Sequence, residues 1–289
     1  MLRRDLLTAC IALSLAPGVA AAQDPGAGVV NVFYAGSLVN LMEHGIGPAF
    51  EASGSGRFRG YAGGSNKLAN ELKGQLHRGD VFISATPNVN DSLTGDANGN
   101  WVSWYITFAQ SPLVIGYNPA SRFAADLKTK PWYEVLQEPG IRIGRTDPKL
   151  DPKGRLTVAL IDKAATVYKI PGLAHAILGP SEGHPEENLV GRLQSGQLDV
   201  GFFYSTETTD MKIPAIPIPP ETATSAHYTV TILRDAPDPA GALRFVSFLI
   251  GPQGRALMRQ HGLDAVPATV SGDAKKLPPS LRKMITAIR

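Results

Sequence analysis

The chain has 289 residues, of which 43% are hydrophobic and 18% charged, with a formal net charge of +3. That length allows a large core shared between two lobes, and the composition is ordinary for a globular protein. The absence of a long basic run argues against nucleic-acid binding, and the single cysteine, Cys10, leaves no disulfide within the chain and no cysteine metal site.

The chain opens MLRRDLLTACIALSLAPGVAAAQ. Arg3 and Arg4 precede an apolar run, Leu6 to Leu15, and Ala20-Ala21-Ala22 form an A-x-A site before Gln23. This pattern predicts a signal peptide over 1–22, too short and wrongly flanked for a membrane span. A buried N-terminal helix is the alternative. Arg3-Arg4 loosely resembles a twin-arginine signal. Leu7–Cys10 resembles a lipoprotein box but lies ahead of most of the apolar run. Cleavage would remove Cys10 and place the mature protein in the periplasm.

Strands and helices then alternate. Strands are expected at Val29–Tyr34, Phe58–Tyr61, Asp80–Ser84, Ser111–Tyr117, Ile141–Gly144, Val200–Tyr204 and His227–Leu233. Helices are expected from Leu38 to Ala52, over Lys67–His77, Leu156–Tyr168 and Leu189–Gln194, and over Ala240–His261 with a break at Gly251-Pro252. This alternation predicts an α/β fold of mainly parallel sheets flanked by helices, with ligands held at strand carboxyl ends. Lobe 1 is expected at 28–109 with 227–289 and lobe 2 at 110–226. Two crossover hinge segments join them, near Phe108–Leu113 and Ala223–Thr229.

Two segments carry the strongest functional signal. VNVFYAGSL (30–38) and RFRGYAGGSNKL (57–68) are short β-rich runs that break at Gly-Ser and become helical. Such a junction leaves unpaired backbone N–H groups and a hydroxyl facing one spot, a cradle for a small anion. Ser37 and Ser65 are therefore candidate anion donors, and a plain N-cap is the alternative for each. Gly36 and Gly64 permit close backbone approach. Ser84, at the end of DVFIS, is open to a cleft-lining or a turn-forming role.

GRTDPKLDPKGR (144–155) is a turn-rich segment ahead of a helix. Asp151 there is either a helix cap or a carboxylate at the site. Lys153 and Arg155 either supply positive charge or lie on the surface. Glu186 and Glu187 begin a helix, where acids ordinarily complement the dipole; Glu186 joins the candidate set. Tyr204 ends a strand and is either a neutral donor or a core tyrosine. The six histidines show no metal-ligand spacing, and no G-x-S-x-G, Walker or dinucleotide motif is present.

With these residues in view, the chain resembles the periplasmic molybdate/tungstate-binding proteins of ABC importers, a branch of the type II periplasmic binding proteins. The matching pieces are VFYAGSL (32–38), AGGSNKLANEL (62–72), GDVFISA (79–85), WYITFAQSPLVIGYN (104–118), GRTDPKLDPKGR (144–155) and LQSGQLDVGFFYST (193–206). A general binding-protein ending, FVSFLIGPQGRALMRQHGL (245–263), completes them. The resemblance implies a two-lobed, monomeric receptor that captures an oxyanion by hinge closure and hands it to a membrane permease, with no cofactor and no chemical step. It assigns Ser37 and Ser65 as oxyanion donors, Asp151 to Gly154 as the closing loop and Tyr204 as the far wall. It also makes Asp151 one of two carboxylates able to reach the metal of the oxyanion. The other belongs to a Phe-Glu-Tyr motif that here reads Phe202-Phe203-Tyr204. Lys153 stands where Cys or Ala is usual in the family. The loss of that glutamate favours tetrahedral binding, and Lys153 would add charge at the site.

Molybdate, tungstate and sulfate present acceptor oxygens only, which suits a site of neutral donors. Sulfate is smaller and would lose contact with some of them. A carboxylate at Asp151 would instead accept a proton from phosphate. Sulfate, phosphate or a small organic anion on the same fold is the first alternative. A secreted enzyme using Asp151 and Tyr204 as acid and base is the second, and it lacks a nucleophile–base motif.

Overall fold

A computed structural model describes residues 28–288. The predicted signal peptide lies outside the described residues.

Ten strands form one continuous, strongly curled sheet. They are β1 (Val29–Ala35), β2 (Arg57–Gly63), β3 (Val81–Ser84), β4 (Trp104–Tyr117), β5 (Ile143–Thr146), β6 (Glu182–His184), β7 (Val200–Tyr204), β8 (Ala215–Pro217), β9 (Ser225–Ile232) and β10 (Asp264–Gly272). The order is β2-β1-β3-β9-β4-β7-β5-β6, with β8 and β10 also paired to β4. The two ends, β2-β1-β3 and β7-β5-β6, are parallel as expected for α/β layers. The middle is antiparallel, because β4 and β9 run against their neighbours. The sheet as a whole is therefore mixed.

β4 is the long strand that joins the halves. Ile106 to Pro112 pair with β9, and Leu113 to Tyr117 pair with β7. The expected strand Ser111–Tyr117 covers only the second half of β4. Pro112 donates no N–H, so a point where pairing passes from one partner to another tolerates it. β10 escapes detection. Its run DAVPATVSG carries Pro267, and its register against β4 shifts between Ala265 and Thr269.

β1 is apolar on both faces because both are covered. Val32 and Tyr34 join the main core, while Phe33 packs with Leu68, Leu72 and Phe82 on the other side. The Leu68 and Leu72 stripe belongs to helix Ser65–Lys73. Phe50 meets Phe245 edge-on at 5.1 Å, fixing helix Pro239–Ile250 against the main core. The expected 38–52 helix exists but is irregular. It starts as a 3-10 turn at Gly36–Leu38 and widens to a π turn at Met42–Ile46 before Gly47–Ala52. Pro48 lacks the N–H that would bond back to His44, and its ring crowds that carbonyl, so the backbone opens. Among the described residues no helix is long and apolar enough to cross a membrane.

Candidate functional site

The carboxyl ends of β1, β2 and β7 lead directly into helices, and the loops after β5 and β6 end in two more. These ends converge on one buried cluster. The geometry brings together Ser37, Asp151, Lys153, Glu186 and Tyr204, with Ser65 and Gly64 beside them across the loop 147–151.

Ser37 lies in the 3-10 turn after β1, with its Oγ 2.9 Å from the Tyr228 hydroxyl on β9. Ser65 is fully buried at the start of its helix, and its Oγ accepts the Ala85 backbone N–H at 3.1 Å. Its hydroxyl proton is left to donate elsewhere. Neither serine caps its own helix. Ser84 takes the turn-forming role: its Oγ donates to the Thr86 carbonyl and accepts the Thr86 N–H.

Gly36 and Gly64 are required by protein atoms that approach from the other half of the molecule. A Cβ at Gly36 would lie 2.9 Å from Glu186 Oε2, and one at Gly64 would lie 2.7 Å from the Leu150 carbonyl. Lys67 N–H donates to that same carbonyl at 3.1 Å, and Arg155 donates to Asn66 Oδ1 at 2.8 Å. Arg155 is otherwise exposed.

Asp151 caps helix Pro152–Val167: its Oδ1 accepts the Lys153 N–H at 2.7 Å and the Thr146 hydroxyl at 2.9 Å. Lys153 is wholly buried. Its Nζ donates to Glu207 Oε1 and Oε2 at 2.7 and 2.9 Å and lies 3.3 Å from Glu186 Oε1. Burial alone would push the ammonium's pKa down, but Glu207, Glu186 and Asp151 outweigh it and hold Lys153 charged above its ordinary range.

Glu186 does more than face a helix dipole. It is buried, and neither carboxylate oxygen has a hydrogen-bond partner. Burial first, then the charge of Asp151, pushes its pKa well above the carboxylate range, with Lys153 opposing. Tyr204 is fully buried and its hydroxyl is also unpartnered. Its ring meets Tyr228 edge-on at 6.0 Å. Burial raises both phenols, so each remains an O–H donor at neutral pH. Among the described residues no group of His, Cys, Asp or Glu could hold a metal ion.

Two members of the cluster escape sequence reasoning, Glu207 and Tyr228. Glu207 sits in helix Ser205–Asp210, three residues past the end of β7, where it accepts the Tyr204 N–H at 2.8 Å. A first-turn acid after Ser-Thr was its signal. Tyr228 shows in sequence only as one position in the alternation of β9. Phe203 packs with Val114, Leu189, Leu193, Leu198 and Ile213, and its ring centroid lies 5.8 Å from the Lys153 ammonium.

A groove of about 330 Å³ opens beside these groups, lined by Gly36, Ser37, Glu186, Glu207, Asp210 and Met211 among others. A separate cavity of about 310 Å³, near His77, Arg78 and Trp101, holds none of the candidate residues.

A curled α/β sheet with two crossing strands and a buried polar cluster at the strand ends defines a periplasmic binding protein fold. The periplasmic molybdate-binding protein of Azotobacter vinelandii shares it, with a TM-score of 0.63 at 18% identity over 81% of this chain and 98% of its own. So does the sulfate-binding protein of Mycobacterium tuberculosis, with a TM-score of 0.61 at 15% identity over 91% of each chain. Residues 30–264 match the bacterial extracellular solute-binding proteins, and the chain belongs to that family. A molybdate/tungstate-binding protein of Thermococcus kodakarensis is 24% identical over 290 residues, covering 81% of each chain.

Proposed function

We propose that this protein is the periplasmic receptor of an ABC importer, capturing a tetrahedral oxyanion, molybdate or tungstate first, and delivering it to a membrane permease. The observation that carries this reading is the buried, unpartnered hydroxyl of Tyr204, set in one cluster with the Ser37–Tyr228 pair and the Lys153 ammonium. A buried hydroxyl without a partner carries a cost that a ligand oxygen relieves. Ser65 supplies a further hydroxyl proton. The name of the Thermococcus relative supports the choice of anion.

The ligand would lie between a lobe of 28–109 with 227–289 and a lobe of 110–226, and hinge closure at β4 and the start of β9 would release or retain it. The receptor acts as a monomer. Glu186 enters the site best in its protonated form, since burial disfavours its charge. It then adds a donor instead of a repelling charge.

One observation favours a second reading. Asp151 and Glu207 put two carboxylates beside Lys153, next to the carboxyl of Glu186. Carboxylates accept hydrogen bonds from a protonated anion such as hydrogenphosphate or a phosphate monoester, and a fully deprotonated oxyanion offers none. Calorimetric titration of residues 23–289 with molybdate, tungstate, sulfate and phosphate separates the two. Tight molybdate or tungstate binding with weak sulfate binding is the expected result. Heat with phosphate alone would move the assignment to protonated anions.

A further inference from the structure

An ammonium has three N–H donors. Lys153 directs two of them at Glu207, at 2.7 and 2.9 Å, and Glu186 lies 3.3 Å away on another side. Two of the three N–H groups of the site's buried cation are thus taken up by Glu207, while the Glu186 oxygens accept none. Glu207 cannot swing clear when a ligand enters. Its carboxylate is pinned by the Tyr204 N–H at 2.8 Å and by its place in the first turn of helix Ser205–Asp210. An oxyanion is a set of acceptor oxygens with the chemistry of a carboxylate, so both seek the same N–H groups. In a buried, weakly screened site the two negative groups also repel.

We infer that Glu207 is an affinity-setting residue whose carboxylate competes with the bound oxyanion for the Lys153 ammonium, keeping the anion releasable. The inference rests on the oxyanion reading of the site. The competing partners all come from 152–207, so the contest exists within one segment of the chain. A receptor that must surrender its cargo gains from such an internal rival: the ammonium never goes unpaired when the anion leaves, so departure exposes no isolated buried charge.

A purely structural Glu207 would act with the opposite sign. If it served only to hold Lys153 in place, removing its charge would loosen the ammonium and weaken anion binding. Glu207→Gln separates the two, because glutamine keeps an acceptor for the Tyr204 N–H while losing the charge. Molybdate and tungstate are titrated into the wild type and the variant by calorimetry, and both are melted with and without the anion. The expected result is binding tighter by about tenfold in E207Q, as removal of a nearby like charge predicts. Its melting temperature without anion should be lower and its anion-induced rise larger than in the wild type. Anion binding by the wild type with equal or weaker binding by a natively folded E207Q would overturn the inference alone. No binding by either protein would overturn the oxyanion reading, and this inference with it. Should E207Q fail to fold, Glu207→Asp withdraws the same charge by one methylene. A smaller gain in affinity is then expected, and an equal or weaker affinity overturns the proposal.

Discussion

Lys153 and Glu207 form a bidentate ion pair in which the lysine is fully buried and the glutamate 6% exposed. Fifty-four residues separate them in sequence, and two different strand ends deliver them to one point. Removing one partner of such a pair strands the other, at a cost of about 3–5 kcal/mol. Lys153→Met is therefore expected to lower stability sharply by leaving Glu207 and Glu186 without their cation, and a denaturant titration checks it. A raised lysine pKa contributes stability below the unfolded value and loses it only as pH climbs through the folded one. The pair therefore holds throughout neutral pH.

Tyr204→Phe should separate binding from folding. The hydroxyl has no partner within the protein, so its removal costs the fold nothing and relieves a buried polar group. Anion affinity should fall by about 1.5–3 kcal/mol, the worth of one hydrogen bond to a charged acceptor. Calorimetry and thermal melting on the same sample test both halves. Unchanged affinity would make Tyr204 a core residue.

Ser37→Ala and Ser65→Ala should each weaken anion binding, but their effects on stability should differ. Ser65 satisfies the buried Ala85 N–H, and an orphaned N–H costs about 1–3 kcal/mol. Ser37 shares its bond with the Tyr228 hydroxyl, which would be left unpartnered at a cost of about 1 kcal/mol. Equal melting temperatures for Ser65→Ala and the wild type would contradict the role of its Oγ as acceptor.

Asp151→Ala should destabilise by about 1–2 kcal/mol through loss of a helix cap. Asp151→Asn keeps an acceptor for the Lys153 N–H and should cost less. If the free Oδ2 also faces the ligand, Asp151→Asn shifts the ratio of molybdate to sulfate affinity. Competition titrations read that ratio, and a ratio equal to the wild type's leaves Asp151 as a cap alone.

Glu186→Gln should make stability less sensitive to pH. An acid whose pKa is raised on folding binds more protons folded than unfolded, so its contribution declines as pH rises from the ordinary carboxylate range, about 4.3, toward the folded value. Glutamine cannot ionise, so the variant should gain on the wild type as pH rises. Melting curves across that window check the sign, and a difference that stays constant with pH would mean that burial does not govern this group.

Much of the fold is legible in the sequence because its signals are local. Val200–Tyr204 is a continuous apolar run with the bounds the structure shows. The Gly251-Pro252 break falls between helices Pro239–Ile250 and Pro252–Gln260 because proline is tolerated only at a helix start. The full length of β4 is not legible, since Trp104 to Gln110 form a strand by pairing with β9 and β10, and only the three-dimensional sheet supplies those partners.

The candidate site divides in the same way. The sequence alone places the turns into helix at Gly36-Ser37 and Gly64-Ser65 and the end of a strand at Tyr204, because glycine conformations and apolar runs act within a few residues. It left Lys153 open between surface and site, Asp151 between cap and ligand, and Glu207 unremarked. Packing alone settles that Lys153 is buried, that Asp151 caps its helix, and that three acidic side chains surround one ammonium. A charge's environment is set by chain segments distant in sequence, and desolvation and pairing exist only once those segments have packed together.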